Sequence, residues 1–113
     1  MRHRKKKKLK IGYDRSRRVL KSMTTALILH EKIDTTSARA KLVRSLVERL
    51  ITKGKHDNLH AKRQLFSALP PNAARKVFEV LAPKYKARPG GYTRLVRLGA
   101  AKDGSIRARI EFV

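Results

Sequence analysis

The sequence predicts a small α+β domain: a basic N-terminal extension, then about four helices packed on a sheet of about three strands that includes a C-terminal β-hairpin. Three observations carry this expectation. Apolar residues recur at spacings of three and four from Val19 to Leu81, apolar and polar residues alternate strictly from Ile106 to Phe112, and Arg and Lys dominate the stretch from Arg2 to Lys10. The extension is read as residues 1–13 and the domain as residues 14–113, with no repeat or linker between. A chain of 113 residues has room for one modest core, which excludes a two-domain enzyme.

The elements follow in order. Asp14 is a candidate N-cap for a first helix in which Val19, Leu20, Met23, Ala26, Leu27 and His30 share one side, while Arg17, Arg18, Lys21 and Thr25 take the other. Near His30 the helix should yield to a short strand over 32–36, where Ile33, Thr35 and Thr36 are β-branched. Thr36 or Ser37 then caps the core helix, with Leu42, Val43, Leu46, Val47, Leu50 and Ile51 down a single stripe. Gly54 is placed to end it, between Lys53 and Lys55, where the helix dipole favours cations.

Asp57 should restart a shorter helix burying Leu59, Leu65, Phe66 and Leu69 until Pro70 and Pro71 stop it. Asn72 caps the next, with Ala74, Val77, Phe78 and Leu81 inward as far as Pro83. The chain changes character at Arg88, Pro89, Gly90 and Gly91, a loop whose glycines permit positive φ and close approach of backbone to another molecule. A strand follows over 92–98, and Asp103 and Gly104 form a turn. In the closing strand Ile106, Ala108, Ile110 and Phe112 should lie on one dry face, with Arg107, Arg109 and Glu111 opposite.

Charge decides the class of partner. Thirty Lys and Arg against eight Asp and Glu leave a formal charge of +22. Leu, Ile, Val and Phe together make up 29 residues, enough for a core, since disorder is expected only below about a fifth of the chain. Self-repulsion at this density works against compaction, so the fold should want a polyanion, and nucleic acid is the commonest. The chain has no Cys, which removes disulfides, thiolate metal sites and cysteine nucleophiles together. It also lacks the run of about 18 apolar residues that a membrane span needs, and its basic start is not a signal peptide.

Eleven basic residues fall within the first 21 positions. Arg2, Arg4, Lys5, Lys6, Lys7, Lys8, Lys10, Arg15, Arg17, Arg18 and Lys21 are the candidate phosphate contacts, each releasing counterions on binding, with His3 among them. Phe66, Phe78 and Phe112 fall on expected inward faces and leave no base-stacking platform, so recognition should run through backbone and shape. Thr35, Thr36, Arg39 and Lys41 have two readings, RNA contact or helix capping and solubility. His56 and His60 bracket Asp57, but a break in the helix there would separate the imidazoles and no third ligand presents itself. Gly90 and Gly91 are not a P-loop, because a strand follows and the required Lys with Ser or Thr is missing. The acids, spread among cations, offer no acid/base pair, so no reaction, cofactor or small-molecule substrate is expected.

The residues also resemble a known family over nearly the whole chain. Met1, Arg2, His3, Arg4 and Lys5 make a familiar opening, and Leu27, His30 and Glu31 follow further on. Ile33, Thr35, Thr36, Arg39, Ala40, Lys41, Glu48, Leu50, Ile51, Thr52 and Gly54 then form a diagnostic spaced pattern. Arg88, Gly90, Gly91, Tyr92, Thr93 and Arg94 look like a glycine-tyrosine loop, and Ile110 and Glu111 match a last strand. Together these are similar to the bacterial-type large-subunit ribosomal protein L-seventeen family, including its organellar relatives. The sequence departs from that pattern in its Lys5 to Lys8 run, at Arg17, and in the order of Asp103 and Gly104.

The resemblance implies a structural, non-enzymatic constituent of the large ribosomal subunit. It would bind ribosomal RNA, have large-subunit proteins near the nascent-chain exit region as neighbours, and reside in the cytoplasm or an organelle. The reading of the residues agrees independently, since the glycine loop from Arg88 to Arg94 would let backbone meet RNA. Composition alone leaves open a nucleoid-type DNA-binding protein.

Overall fold

The computed structural model describes residues 13–113. The N-terminal extension, apart from Tyr13, lies outside the described residues. Helix α1 is described over Tyr13–His30; Asp14, preceded by a helical residue, lies inside it and is not the cap. Thr24, Leu27 and Ile28 are buried, Leu20 and Met23 half-buried, and His30, expected on the inner side, is exposed at the helix end. Glu31 ends the helix with a positive φ of 69°, and its N–H donates to the Leu27 carbonyl at 2.7 Å. From the next layer Lys76 donates to the Leu29 carbonyl at 3.2 Å and stands 3.3 Å from the Glu31 carboxylate. One cation thus closes the C-terminus of α1.

Strand β1 (Lys32–Thr36) runs directly into α2 (Ser37–Gly54), whose N-cap Thr36 accepts from the Arg39 N–H at 3.4 Å. Helix α2 is the centre of the molecule. Ala40, Val43, Val47 and Ile51 are fully buried along its inner line, while Leu42, Leu46 and Leu50 are half-buried on its flanks. Gly54 does not end this helix by turning left-handed, because it is the last helical residue and Lys55 after it is still right-handed at φ −69°. Its role is close packing: a Cβ there would lie 2.9 Å from Val77 Cγ1.

Asn58, not Asp57, caps α3 (Leu59–Ala68), accepting from the Ala61 N–H at 2.8 Å; Asp57 sits outside the helix at φ 44°. This helix touches the body along a narrow line of Ala61, Leu65 and Leu69, so Leu59 and Phe66, expected inward, are 62% and 44% exposed. Pro70 and Pro71 end α3 and also begin α4 (Pro71–Lys76), where a proline lacks only an N–H that would have no helical partner. Asn72 is consequently inside the first turn and does not cap it, its side chain accepting from the adjacent Ala73 N–H.

Pro83 does not stop the helix either. A π-helical turn over Val77–Leu81 leads into α5 (Ala82–Lys84), with the Ala82 N–H reaching back to the Val77 carbonyl. The wider turn shifts the hydrogen-bond register just ahead of the proline, so its missing N–H and its ring are accommodated without a break.

Strands β2 (Thr93–Ala100) and β3 (Ile106–Phe112) form the hairpin, and β3 is central in an antiparallel sheet of order β1-β3-β2. Ile110 lies opposite Ile33 on one side and Leu95 on the other. Leu98 is the extra residue of a bulge before Gly99, whose φ is 88°. Ala108 and Ile110 are buried, but Ile106, expected on the dry face, is 60% exposed. Val96 and Leu98 are exposed as well, so the outer half of the hairpin projects beyond the helices. At its tip Asp103 accepts from the Ser105 N–H and hydroxyl at 3.0 and 2.7 Å. No helix among the described residues is long and apolar enough to cross a membrane.

Candidate nucleic-acid interface

The first half of α1 carries Arg15, Arg17, Arg18 and Lys21, all exposed. Its amphipathic sequence turns Leu20, Thr24 and Leu27 inward, and that orientation leaves the cations outward. Arg17, Arg18 and Lys21 form one wall of a groove of about 640 Å³ between α1, α2 and the end of α3; Arg49 and Lys53 of α2 form the other. Among the described residues no Asp or Glu lines it. Arg18, Lys21, Arg49 and Lys53 have no ion-pair partner among the described residues, so their full charge is available to an anion.

Sequence reasoning missed Arg49 as a site residue and read Lys53 only as a cation at a helix terminus. The signal was present: the two are four apart on α2 and flank Leu46 and Leu50, which places them beside the half-buried leucines on the α1 side. On the other side of α1 a more open hollow of about 500 Å³ brings Arg18 together with Thr35 and Arg39, beside Asp34. Lys41 is exposed on α2.

Several of the expected contact residues have roles within the fold. Tyr92 is 1% exposed, packed against Tyr85 with ring centroids 5.2 Å apart. Its hydroxyl accepts from Lys55 Nζ at 3.0 Å and lies 3.5 Å from the Thr52 hydroxyl. Burial by itself would raise the pKa of this phenol, but the bonds from Lys55 and Thr52 outweigh it and hold the group below its ordinary value. Thr93 is buried and donates to Glu48 at 3.2 Å, Thr35 is buried, and Thr36 is occupied as the α2 cap. Tyr85, Tyr92 and Phe112 thus make the aromatic cluster, while Phe66 lies exposed with its ring 6.3 Å from that of Phe78.

Around Tyr92 the loop remains open. Arg88 and Gly91 are exposed, Gly91 adopts φ +64°, and nothing stands within 4 Å of a Cβ built on Gly90 or Gly91. Lys55 holds this loop from beneath by donating to the Arg88 carbonyl. Arg94 is 61% exposed yet pairs with Glu111 at 2.9 Å. It belongs to a sheet face where acids offset some of the cations: Glu111 lies between Lys32 and Arg94 in one row across the strands, and Arg109 pairs with Asp34 at 2.7 Å in the next. His56 precedes α3 and His60 lies within it. Arg2, His3, Arg4, Lys5, Lys6, Lys7, Lys8 and Lys10 lie outside the described residues.

Comparison with known proteins bears on the same chain. A profile of the ribosomal protein L17 family matches residues 19–113. Similar proteins include the "Large ribosomal subunit protein bL17" of Syntrophotalea carbinolica, 46% identical over 88% of this chain, which spans 65% of that relative's length. The protein of the same name from Caldanaerobacter subterraneus subsp. tengcongensis is 44% identical over 88% of this chain and 91% of its own length. That of Clostridium beijerinckii is 40% identical over 95% and 96%. The profile runs from Val19 within α1 to the end of the hairpin, so it covers the sheet, α2 and the groove lining apart from Arg17 and Arg18, and the chain belongs to the ribosomal protein L17 family.

Proposed function

We propose that the chain is a structural constituent of the large ribosomal subunit that binds ribosomal RNA, supports subunit assembly and translation, and carries out no reaction. The observation that carries this reading is the cationic groove, with Arg17, Arg18 and Lys21 on one wall and Arg49 and Lys53 on the other. The cations from Arg2 to Lys10 add further positive charge to the chain, and the open backbone at Gly90 and Gly91 offers a second approach to RNA. Its neighbours would be large-subunit proteins near the nascent-chain exit region, as the family resemblance implies, and its location that of the ribosome, in the cytoplasm or an organelle. The relatives' printed names, large ribosomal subunit proteins, support the assembly.

Nuclease sensitivity tests it. Particles containing the chain should keep it after DNase and release it after RNase, and crosslinks should map to large-subunit RNA through α1 and α2. Release by DNase alone would favour the nucleoid-type DNA-binding reading and overturn this one.

A further inference from the structure

The groove between α1 and α2 has a floor that phosphate contacts alone do not require. Beneath the cations lie Leu20, Leu46, Leu50 and Leu69, the first three half-buried and therefore still open to an incoming group. A regular duplex presents phosphates and shallow edges to a protein and cannot reach into such a cleft. A base released from its stack can, because its faces are apolar and its flanking phosphates remain outside. The groove's volume of about 640 Å³ lies within the roughly 300–1,000 Å³ typical of sites for small organic groups.

We propose that this groove takes one unpaired nucleotide of the bound RNA, its base against the four leucines and its neighbouring phosphates on the two cationic walls. The proposal rests on the RNA-binding reading above and adds the form of RNA recognised. An acidic protein segment would satisfy the same charges. RNA is favoured because the α1 wall is continuous with the exposed row from Arg15 to Lys21, so the groove opens onto the surface that the bound phosphates would follow. The two hydroxyls in the lining are already committed: Thr24 donates to the Leu20 carbonyl at 2.7 Å and Ser67 to the Gln64 carbonyl at 3.0 Å. The remaining donors are the Arg and Lys side chains of the walls, which the flanking phosphates would engage, so the groove should accept any base.

The test compares two RNA hairpins of equal stem length, one fully paired and one with a single-nucleotide bulge, binding to the full chain at one ionic strength. The bulged hairpin should bind about tenfold more tightly, within the range of one base packed on a protein surface. It alone should shift the methyl NMR signals of Leu20, Leu46, Leu50 and Leu69, and exchanging the bulged base should change little. Leu46→Gln should abolish the preference while leaving the paired hairpin's affinity intact; the methyl shifts of the unaltered chain give the answer should that variant not fold. Equal affinities with unmoved leucine methyls would overturn the proposal and leave RNA binding standing. Binding of neither hairpin would overturn the RNA-binding reading itself. Leucine shifts produced by a polyglutamate peptide and not by the bulged hairpin would overturn the proposal in favour of an acidic protein segment.

Discussion

Gly54 and Val77 meet where no side chain fits between them. A Cβ on Gly54 would stand 2.9 Å from Val77 Cγ1, with Leu65 Cδ1 at 3.5 Å and Ala82 Cβ at 3.6 Å. At this one residue the end of α2 touches α3, the π-helical turn and α5 together, so the missing side chain sets how closely the helices approach the central one.

Gly54→Ala should therefore destabilise the fold although it sits at a helical position. Alanine gains roughly 1 kcal/mol in helix propensity, but inserting a methyl into a packed contact typically costs about 1–3 kcal/mol. A net loss of about 1 kcal/mol should appear as a lower urea midpoint. Val77→Ala should cost less in the Gly54→Ala background than alone, since it removes the colliding methyls. Strict additivity of the two in a double-mutant cycle would show that the contact does not limit packing.

Tyr92 should prove a stability residue and not an RNA contact. Tyr92→Phe keeps the ring among Tyr85 and the core but removes the hydroxyl that engages Lys55 and Thr52. The expected cost is about 1 kcal/mol in chemical denaturation. RNA affinity should be unchanged. An affinity loss larger than the stability loss would return Tyr92 to the interface.

How far the sequence was legible depends on the range of the forces involved. The alternation in β3 and the apolar stripe of α2 are local patterns, and both elements stand where these placed them. Phe66, Leu59 and Ile106 were misassigned because periodicity shows which side of an element is apolar, not whether the body is wide enough to cover it. Pro83 was misread as a terminator for a related reason: proline usually breaks a helix, and the π-helical turn that overrides that tendency depends on the packed structure. Gly54 is the last residue of α2, as expected, but its close contact with Val77 comes from the packed structure and not from a local pattern. The site divided in the same way. Charge located the α1 wall, but its pairing with Arg49 and Lys53 depends on how α1 and α2 pack.

Acid should weaken the sheet in a way that Asp34 controls. The hydrogen bond from Arg109 is the chief cause that lowers the Asp34 pKa below the ordinary carboxylate value, so at pH near about 4 the unfolded chain binds more protons at this site than the folded one. Its contribution is thus present above the unfolded pKa and is lost as pH falls through the folded one. Asp103 acts in the same sense through the bonds from Ser105. Both carboxylates are solvent-exposed and the effect is small. Melting temperature followed from neutral pH into acid should show Asp34→Asn less stable than the unaltered chain at the upper end and nearly equal to it at the lower end. A difference independent of pH would mean that the Asp34 charge plays no part.

Salt should act in opposite directions on the free chain and on its complex with RNA. With a formal charge of +22, the free fold gains from screening, so its melting temperature should rise with moderate NaCl. RNA affinity should fall, the slope of log K against log salt steepening by about 0.7–0.9 for each phosphate neutralised. Removing Lys21 or Arg49 should flatten that slope by about one such step, because neither has an ion-pair partner among the described residues. Arg94→Ala should flatten it far less, since Glu111 already neutralises that guanidinium at 2.9 Å. These three variants separate position from mere charge, as each removes one cation of the same sign from the same fold. If all three flattened the slope equally, binding would track net charge alone, and the α1–α2 face would have no special standing over the sheet.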